Sequence, residues 1–206
     1  MQKLILEHES LLKGSFTPGK LNFLLVFQVN CPGCFIYAIP MVNRLYREFS
    51  DQISFLGLST AFEDFDLNTE ENTKRLLFNN EIIGETKKVF EHQGLTEFPY
   101  PVEFPVAMDR KAGPQFDYEA GAEFICNSNP NYKVWSQFDQ QSLTEKVVSY
   151  LKNQQELALT FTLNQLKGTP SMIIFNDQLE IFESWFGHVS YEIVQQELKQ
   201  MTKLFD

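Results

Sequence analysis

The chain has 206 residues, of which 43% are hydrophobic and 21% charged, a composition typical of a globular protein with a substantial core. Its net charge of -10 disfavours non-specific binding to nucleic acid or to an anionic membrane, since both are polyanions. The sequence has no Lys/Arg-rich block and no apolar run long enough to span a membrane, so neither kind of partner is predicted.

The N-terminal segment is too charged for a signal peptide, because Glu7, His8 and Glu9 interrupt its apolar residues. We therefore predict a cytoplasmic location, although a protein trimmed of its leader would have the same sequence. The chain has three cysteines, too few for a disulfide scaffold. Two of them form the sequence Cys-Pro-Gly-Cys at Cys31 and Cys34, which in a reducing compartment indicates redox chemistry or metal binding.

The first elements predicted in chain order are a strand, a helix and a second strand. Leu21–Val29 is nearly continuous in apolar residues, as in a strand buried on both faces. A helix is predicted from Pro32 to about Phe49, and Pro40 should interrupt it because an interior proline removes a backbone hydrogen bond. A second strand at Ile53–Leu58 completes a unit of parallel sheet.

The middle of the chain has weaker signals. An acidic surface loop leads into a helix whose N-cap is predicted at Asn68 or Thr69. Helical periodicity continues with breaks to about residue 90, and a short strand is predicted at Val106–Met108. Periodicity is poor over residues 110–141, and the spacing of Ser142 and Glu145 then predicts a capped helix that runs to about residue 166.

The C-terminal elements are clearer. Ser171–Phe175 and Leu179–Phe186 are predicted to form an antiparallel hairpin around a turn at Asn176 and Asp177. Ser190 is predicted to cap a final helix. No linker or internal repeat divides the chain, so we predict one mixed α/β domain over residues 1–206.

The Cys-x-x-Cys pair has special chemistry if Cys31 lies at the start of a helix. The free N–H groups and the dipole of a helix N-terminus favour a thiolate, which is the attacking form of cysteine. Cys34 would lie one turn inside the helix, where it could resolve a mixed disulfide formed by Cys31. The residues alone therefore favour a redox pair.

The order of these features resembles the thioredoxin superfamily. The features are a strand ending in Cys-x-x-Cys, a helix with a proline, a second strand, and Gly168-Thr169-Pro170 before a hairpin and a closing helix. Pro105, Val106 and Asp109 make the chain most similar to the peroxiredoxin-related thiol-disulfide reductases. The resemblance implies a thioredoxin-like α/β fold, with a central mixed sheet flanked by helices and a largely helical or irregular insertion at about residues 110–154.

By this resemblance Cys31 is the nucleophile and Cys34 the resolving thiol. The bond before Pro170 is expected to be cis and to face the cysteine pair. The expected substrate contacts are Pro32, Gly33, Thr169 and Pro170. The resemblance implies no metal and no cofactor. The partners that it implies for the protein are protein or small-molecule thiols and disulfides, together with an unidentified electron donor.

The chain departs from the family pattern at several positions. Asn30 stands where thioredoxins carry Trp, and Leu25 where they carry a buried carboxylate that moves a proton. Pro40 comes one position later than the usual helix proline. The dipeptide between the cysteines is Pro-Gly instead of Gly-Pro, so the reduction potential of thioredoxin does not transfer.

Other readings of these residues remain open at the level of sequence. A zinc site needs four ligands, and the other candidates are widely scattered: Cys126, His8, His92 and His188. A peroxidase of the peroxiredoxin type needs a Thr-x-x-Cys sequence, which is missing, whereas a redox-sensing or binding adaptor without turnover remains an alternative. The aromatic residues of the insertion are predicted to form a small core of their own, with a peptide-binding lid as the second reading: Phe116, Tyr118, Phe124, Tyr132 and Trp135.

Overall fold

A mixed six-stranded sheet forms the centre of the computed structural model, which describes residues 2–205. The strands are β1 (His8–Lys13), β2 (Asn22–Phe27), β3 (Ser54–Ser59), β4 (Val106–Asp109), β5 (Ser171–Phe175) and β6 (Ile181–Phe186). Their order across the sheet is β1-β4-β3-β2-β5-β6. β2, β3 and β4 are parallel to one another, whereas β1, β5 and β6 pair in the antiparallel sense. The predicted α/β fold class and the C-terminal hairpin are confirmed.

Seven α-helices connect or flank these strands in the described part of the chain. They are α1 (Ile39–Phe49), α2 (Glu70–Asn79), α3 (Gly84–Glu91), α4 (Tyr118–Asn127), α5 (Gln137–Lys152), α6 (Leu159–Leu163) and α7 (Tyr191–Phe205), with a 3-10 turn at Tyr132–Val134. No helix among residues 2–205 is long and apolar enough to cross a membrane.

The central strand β2 is buried along its whole length and supplies both sides of the core. Phe23, Leu25 and Phe27 belong to the cluster that includes residues of α1 and α7. Leu24 and Val26 point to the opposite face, where they join residues of β5 and α6. This alternation follows from the two-residue repeat of a strand, and it explains why the sequence of β2 is apolar at every position but its first.

The predicted interruption at Pro40 takes the form of a π-helical turn at Cys34–Ala38, directly before α1. The Ile39 N–H donates to the Cys34 carbonyl, five residues back instead of four. Pro40 has no N–H to return to the preceding turn, and its ring would collide with the carbonyl four residues earlier in a regular α-helix. The wider turn removes both conflicts.

Several predicted boundaries were wrong. Helix α5 begins at Gln137, not Ser142, because Ser136 is its N-cap and accepts a hydrogen bond from the Asp139 N–H at 3.2 Å. The helical signal predicted to reach residue 166 breaks after Lys152 and resumes in the separate helix α6. Strand β1 and helix α4 were not predicted.

Helices α4, α5 and α6, together with the turns between them, are called here the α4–α6 segment, residues 118–163. A small core joins them, built mainly from aliphatic side chains: Ala122, Val148, Leu151, Leu157, Leu159 and Leu163. Three of the aromatic residues expected to form that core are partly buried and pack against it: Phe116, Tyr118 and Phe124. Tyr132 is buried, whereas Trp135 is 39% exposed. The extent of an inserted segment in this region stays a prediction.

Candidate active site

The two cysteines follow β2 at the carboxyl edge of the parallel strands, where a short turn leads into the helix that continues as α1. The backbone N–H of Cys34 donates to the Cys31 carbonyl at 3.0 Å and lies 3.3 Å from the Cys31 sulfur. Cys31 therefore occupies the position at which the first free N–H groups of a helix point toward a side chain.

The Cys31 and Cys34 sulfurs lie 2.7 Å apart, and both cysteines are free thiols. Cys31 is partly exposed and Cys34 is fully buried. The pKa of Cys31 is lowered from 9.0 to about 6, chiefly by the hydrogen bond from the Cys34 side chain and further by Thr169 and by the Cys34 and Gly33 amides; partial burial opposes this effect. Cys31 is accordingly a thiolate at neutral pH, the form that attacks disulfides.

Cys34 differs from Cys31 in its protonation. Burial raises the pKa of Cys34 well above its ordinary value, and the neighbouring Cys31 sulfur raises it further by hydrogen bonding and by charge. The pair therefore shares one proton near neutral pH, and that proton is on Cys34. The chemical asymmetry between a solvent-facing thiolate and a buried thiol is the arrangement that thiol exchange requires.

Thr169 and Pro170 lie opposite the cysteines, although they are far away in sequence. The Thr169–Pro170 peptide bond is cis, and the Thr169 carbonyl oxygen is 3.5 Å from the Cys31 sulfur. A Cβ placed on Gly33 would lie 3.8 Å from the Cδ of Pro170. The structure thus places all four predicted substrate-contacting residues around the predicted redox pair: Pro32, Gly33, Thr169 and Pro170.

Gln28 is a site residue that the sequence reasoning missed. Its side chain is buried, and its Oε1 accepts a hydrogen bond from the Thr169 hydroxyl at 3.1 Å. Its Nε2 donates toward the Glu63 carbonyl at 3.5 Å, so it connects the Thr169 turn with the loop after β3. The available signal was positional: Gln28 is the first polar residue at the carboxyl end of a buried parallel strand, where sites on such sheets usually lie.

Asn30, the residue in place of the thioredoxin Trp, holds three segments together. Its backbone N–H donates to Asn68 Oδ1 at 3.0 Å, and its Nδ2 donates to Asp64 Oδ2 at 2.8 Å. Its Oδ1 accepts from the Glu85 N–H at the start of α3, at 2.7 Å. The turn before Cys31 is consequently fixed by three hydrogen bonds of Asn30, two from its side-chain amide and one from its backbone N–H, and not by an aromatic ring. Of the two predicted caps of α2, Thr69 fills that role, and Asn68 is a partner of Asn30 instead.

Leu25 is fully buried in β2 and brings no carboxylate to the cysteine pair. The buried carboxylate at this edge of the sheet is Asp109, at the end of β4, which is 3% exposed. It accepts hydrogen bonds from the Thr60 hydroxyl and from the Thr160 and Phe161 amides of α6, at 2.8 to 3.0 Å. Burial raises its pKa to about 6. Its hydrogen bonds are to Thr60, directly after β3, and to α6, so its contacts position a helix.

An open cleft of about 400 Å³ surrounds Cys31. Phe62 forms one side, and Phe186, which is 54% exposed, contributes to the lining from β6. Gly168 lets the Phe186 ring approach, because a Cβ at Gly168 would lie 2.8 Å from that ring. The cleft is lined by Gln28, Asn30, Cys31, Pro32, Phe62, Glu63, Lys167, Gly168, Thr169 and Phe186.

The zinc reading of the cysteines finds no geometric support. Within residues 2–205, no three or more His, Cys, Asp or Glu side chains come close enough together to hold a metal ion. Cys126 lies in α4, where the Thr144 hydroxyl donates to its sulfur at 3.8 Å. It belongs to the α4–α6 segment and is remote in sequence from the other two cysteines.

Comparisons with known proteins bear on the fold. Neither a protein-family model nor a curated protein sequence matches the chain. Among solved structures, a thioredoxin-like superfamily protein aligns at 19% identity and a TM-score of 0.61, with 98% of this chain and 97% of that one covered. A thiol-disulfide isomerase from Corynebacterium glutamicum aligns at 20% identity and a TM-score of 0.58, covering 96% of this chain and 94% of the isomerase. With its six-stranded sheet and the Cys31 turn facing Pro170, the chain has a thioredoxin-like fold.

Proposed function

We propose that the protein is a thiol-disulfide oxidoreductase that exchanges disulfides with protein or small-molecule thiols in a reducing, cytoplasmic compartment. The observation that carries the proposal is the pairing of a partly exposed thiolate, Cys31, with a buried thiol whose sulfur lies 2.7 Å away. Neither a metal nor a cofactor is required, because the two sulfurs of the pair themselves supply and accept the two electrons of the exchange.

The first step is attack of the Cys31 thiolate on one sulfur of a substrate disulfide. A bond forms between Cys31 and that sulfur, the substrate S–S bond breaks, and the second substrate sulfur leaves as a thiolate that takes a proton from water. The low pKa of Cys31, about 6, maintains the attacking form at neutral pH.

The second step is resolution by Cys34. Once Cys31 is part of a mixed disulfide it carries no negative charge, so two of the causes that raise the Cys34 pKa disappear and only burial remains. Cys34 then attacks the Cys31 sulfur, and its proton passes to the remaining substrate sulfur, which leaves as a thiol. The substrate gains two electrons, and the protein is left with a Cys31–Cys34 disulfide that a dithiol donor reduces again. The same steps in reverse oxidise a dithiol.

The turn at Thr169 and Pro170 is proposed to hold an extended substrate beside the cysteines. The Thr169 carbonyl is 3.5 Å from the Cys31 sulfur, so a chain attached to that sulfur passes directly over this turn. Pro32 and Gly33 complete the opposite side of the contact. Backbone pairing along the edge of a turn or strand binds extended peptides with little regard to their side chains.

The proposal is tested by the rate of alkylation of each reduced cysteine as a function of pH. Cys31 should react with iodoacetamide with a midpoint near pH 6, and Cys34 should react far more slowly. Faster labelling of Cys34, identified by mass spectrometry, would overturn the assignment of roles.

Turnover is tested separately by the reduction of insulin with dithiothreitol as donor, alongside consumption of hydrogen peroxide. Insulin reduction that is lost in the Cys31→Ser variant supports the oxidoreductase. Normal alkylation without turnover on any disulfide would instead identify a redox-sensing adaptor. The reduction potential of the pair gives the direction, since about -270 mV is typical of a reductase and about -120 mV of an oxidant.

A further inference from the structure

A second, larger cavity lies beside the cleft around Cys31, along the α4–α6 segment. This cavity has a volume of about 560 Å³ and lies between α4, α5, α6 and the loop after β3. Phe62 lines both spaces, so a single aromatic side chain separates the reactive sulfur's cleft from the cavity. The lining residues are Phe62, Ile125, Lys146, Val147, Tyr150, Gln154, Glu156, Phe161, Thr162, Gln165 and Leu166.

The wall between the two spaces is rigidly supported. The rings of Phe62 and Phe161 are stacked with centroids 4.0 Å apart and planes inclined by 4°. Phe161 is held in place by its own backbone, because its N–H and that of Thr160 donate to Asp109 at 3.0 and 2.9 Å. The aromatic pair therefore provides an apolar surface at the border of the cleft, in which Phe62 of the loop after β3 stacks on Phe161 of α6.

A third depression, of about 400 Å³, extends the same path along α5 toward Trp135. Lys146 lines both the second and the third space. Three exposed apolar side chains lie at this far end, namely Val134, Trp135 and Phe138, of which the first and last are about 80% exposed. Large exposed apolar side chains grouped beside a groove are typical of binding surfaces.

Three charged side chains line the two outer spaces, namely Asp139, Lys146 and Glu156. The Glu156 carboxylate is paired with Lys111, and Asp139 accepts a hydrogen bond from the Ser136 hydroxyl at 2.6 Å. Lys146, in contrast, forms no ion pair with any residue of the described chain. In a protein with a net charge of -10, the unpaired ammonium group of Lys146, which lines both of the outer spaces, favours a carboxylate from a ligand.

We propose that these three spaces form one groove for an extended segment of a substrate polypeptide, here called the α5 groove. The reactive substrate cysteine lies at Cys31, an aromatic or large aliphatic side chain fills the cavity beside Phe62, and an acidic residue pairs with Lys146. A small thiol would occupy only the first cleft, whereas the length of the α5 groove and the aromatic pair in its wall suit an extended polypeptide. The inference rests on the proposed oxidoreductase function and gives it a substrate class.

The test uses synthetic peptides that each contain one cysteine linked by a disulfide to 2-mercaptoethanol. In the parent peptide all other side chains near the cysteine are Ser, and in the series a Phe-Glu pair replaces two Ser at successive positions on either side. The kcat/KM of each peptide is expressed relative to that of 2-hydroxyethyl disulfide, which has no group that could reach the groove. We expect one placement to exceed the parent by about tenfold, since filling an apolar pocket discriminates by about that factor.

Lys146→Glu tests whether the substrate occupies the groove, because Lys146 lines two of its three spaces. Lys133→Glu is the control, since it makes the same charge change at an exposed site of the α4–α6 segment that lines none of the three spaces. For the favoured peptide, Lys146→Glu should lower the relative kcat/KM by about fivefold, the effect of one exposed charge pair. A Phe-Lys version of the same peptide should gain with Lys146→Glu, and Lys133→Glu should alter neither value.

The proposal is overturned if no placement exceeds the parent peptide by more than twofold, or if the two charge variants behave alike. Failure of the underlying function has a different signature, namely that even 2-hydroxyethyl disulfide is not reduced in a Cys31-dependent manner. In that case, the affinity of the labelled peptides for the Cys31→Ser, Cys34→Ser double variant, measured by fluorescence anisotropy, still tests whether the groove binds a polypeptide. Tighter binding of the Phe-Glu peptide than of the parent supports it, and equal binding rejects it.

Discussion

Two groups at the carboxyl edge of the parallel strands have a pKa of about 6, and they reach it from opposite directions. Cys31 descends from 9.0 because hydrogen-bond donors surround a partly exposed sulfur. Asp109 rises from 3.8 because a carboxyl that is only 3% exposed loses its hydration, although three donors contact it. Hydrogen bonding prevails in the first case and burial in the second.

The difference teaches that a perturbed pKa does not by itself identify a reactive group. The Cys31 sulfur borders an open cleft, whereas the Asp109 oxygens accept hydrogen bonds from Thr60, directly after β3, and from α6. One group is available to a substrate, and the other connects the sheet with the α4–α6 segment. The following predictions test the chemical role of Cys31 and its neighbours, the structural role of Asp109 and the support of the cysteine turn.

The largest effect is expected from Cys34→Ser. Because the resolving thiol is removed, turnover of disulfide substrates should be lost completely while mixed disulfides accumulate on Cys31. Mass spectrometry of the protein after incubation with a substrate disulfide measures the adduct. The Cys126→Ser control should retain turnover and form no stable adduct. Turnover by Cys34→Ser at the wild-type rate would remove Cys34 from the mechanism.

Asp109 should affect stability in a pH-dependent manner. Its pKa is higher in the folded protein, about 6, than its ordinary value of 3.8. The carboxyl group therefore binds a proton more tightly in the folded protein than in the unfolded chain. The stabilising contribution is therefore complete below pH 3.8 and is lost as the pH rises through about 6. A shift of this size corresponds to about 3 kcal/mol of unfolding free energy.

The measurement is urea unfolding of the wild type and of Asp109→Asn between pH 4 and 7. The stability of the wild type relative to Asp109→Asn should decline across this range, because Asn does not titrate and the other acids are common to both proteins. A difference that is constant with pH, or that grows with rising pH, would contradict the raised pKa. Alkylation of Cys31 should remain fast in the variant.

Gly84→Ala tests the support of the cysteine turn. Gly84 has a φ of +51°, and a Cβ there would lie 2.2 Å from Asn30 Oδ1, which accepts the Glu85 N–H. Gly94→Ala is the matched control, since its φ is +79° but no atom lies within 4 Å of the added Cβ. Both variants bear the backbone strain of about 1 kcal/mol, and Gly84→Ala should be destabilised by roughly 2 kcal/mol more in thermal or urea unfolding. Equal losses would mean that Asn30 adjusts freely.

Thr169→Val should produce the smallest effect. The Thr169 side chain donates to Gln28 and contributes to the lowered pKa of Cys31, after the larger contribution of Cys34. Its removal should raise the pKa of Cys31 from about 6 toward the ordinary value without abolishing exchange. The pH dependence of alkylation reports this shift, and Thr144→Val, in the α4–α6 segment, should leave it unchanged. An unaltered midpoint in Thr169→Val would exclude the hydroxyl as a partner of the thiolate.

The sequence predicted the cysteine end of the molecule well because its signals are local. An apolar strand, two cysteines at a helix start and a proline before a hairpin each occupy a few neighbouring residues. The contacts of Asn30 and Gln28 were not predicted, since Asn30 pairs with Asp64 and Gln28 with Thr169, 34 and 141 residues away. No local spacing indicates such partners.

The α4–α6 segment was predicted poorly, for two physical reasons. Ser136 with Asp139 and Ser142 with Glu145 both place an acidic residue three positions after a serine, so a local capping rule does not distinguish them. Helix α6, in addition, is attached to the rest of the domain by hydrogen bonds between side chains and backbone groups that are distant in sequence. The Asn164 amide bonds the backbone of Ile5 in both directions, at 2.9 and 2.7 Å, across 159 residues.

The π-helical turn at Cys34–Ala38 has a consequence for how this chain is aligned with others. A π turn contains one residue more than an α turn, and Pro40 comes one position later than the family pattern places it. The additional residue is taken up within that single turn, so Cys34 stays at the start of the helix and Leu45 stays in the core. The additional residue is therefore accommodated by a local widening of the helix before the regular turns of α1 begin.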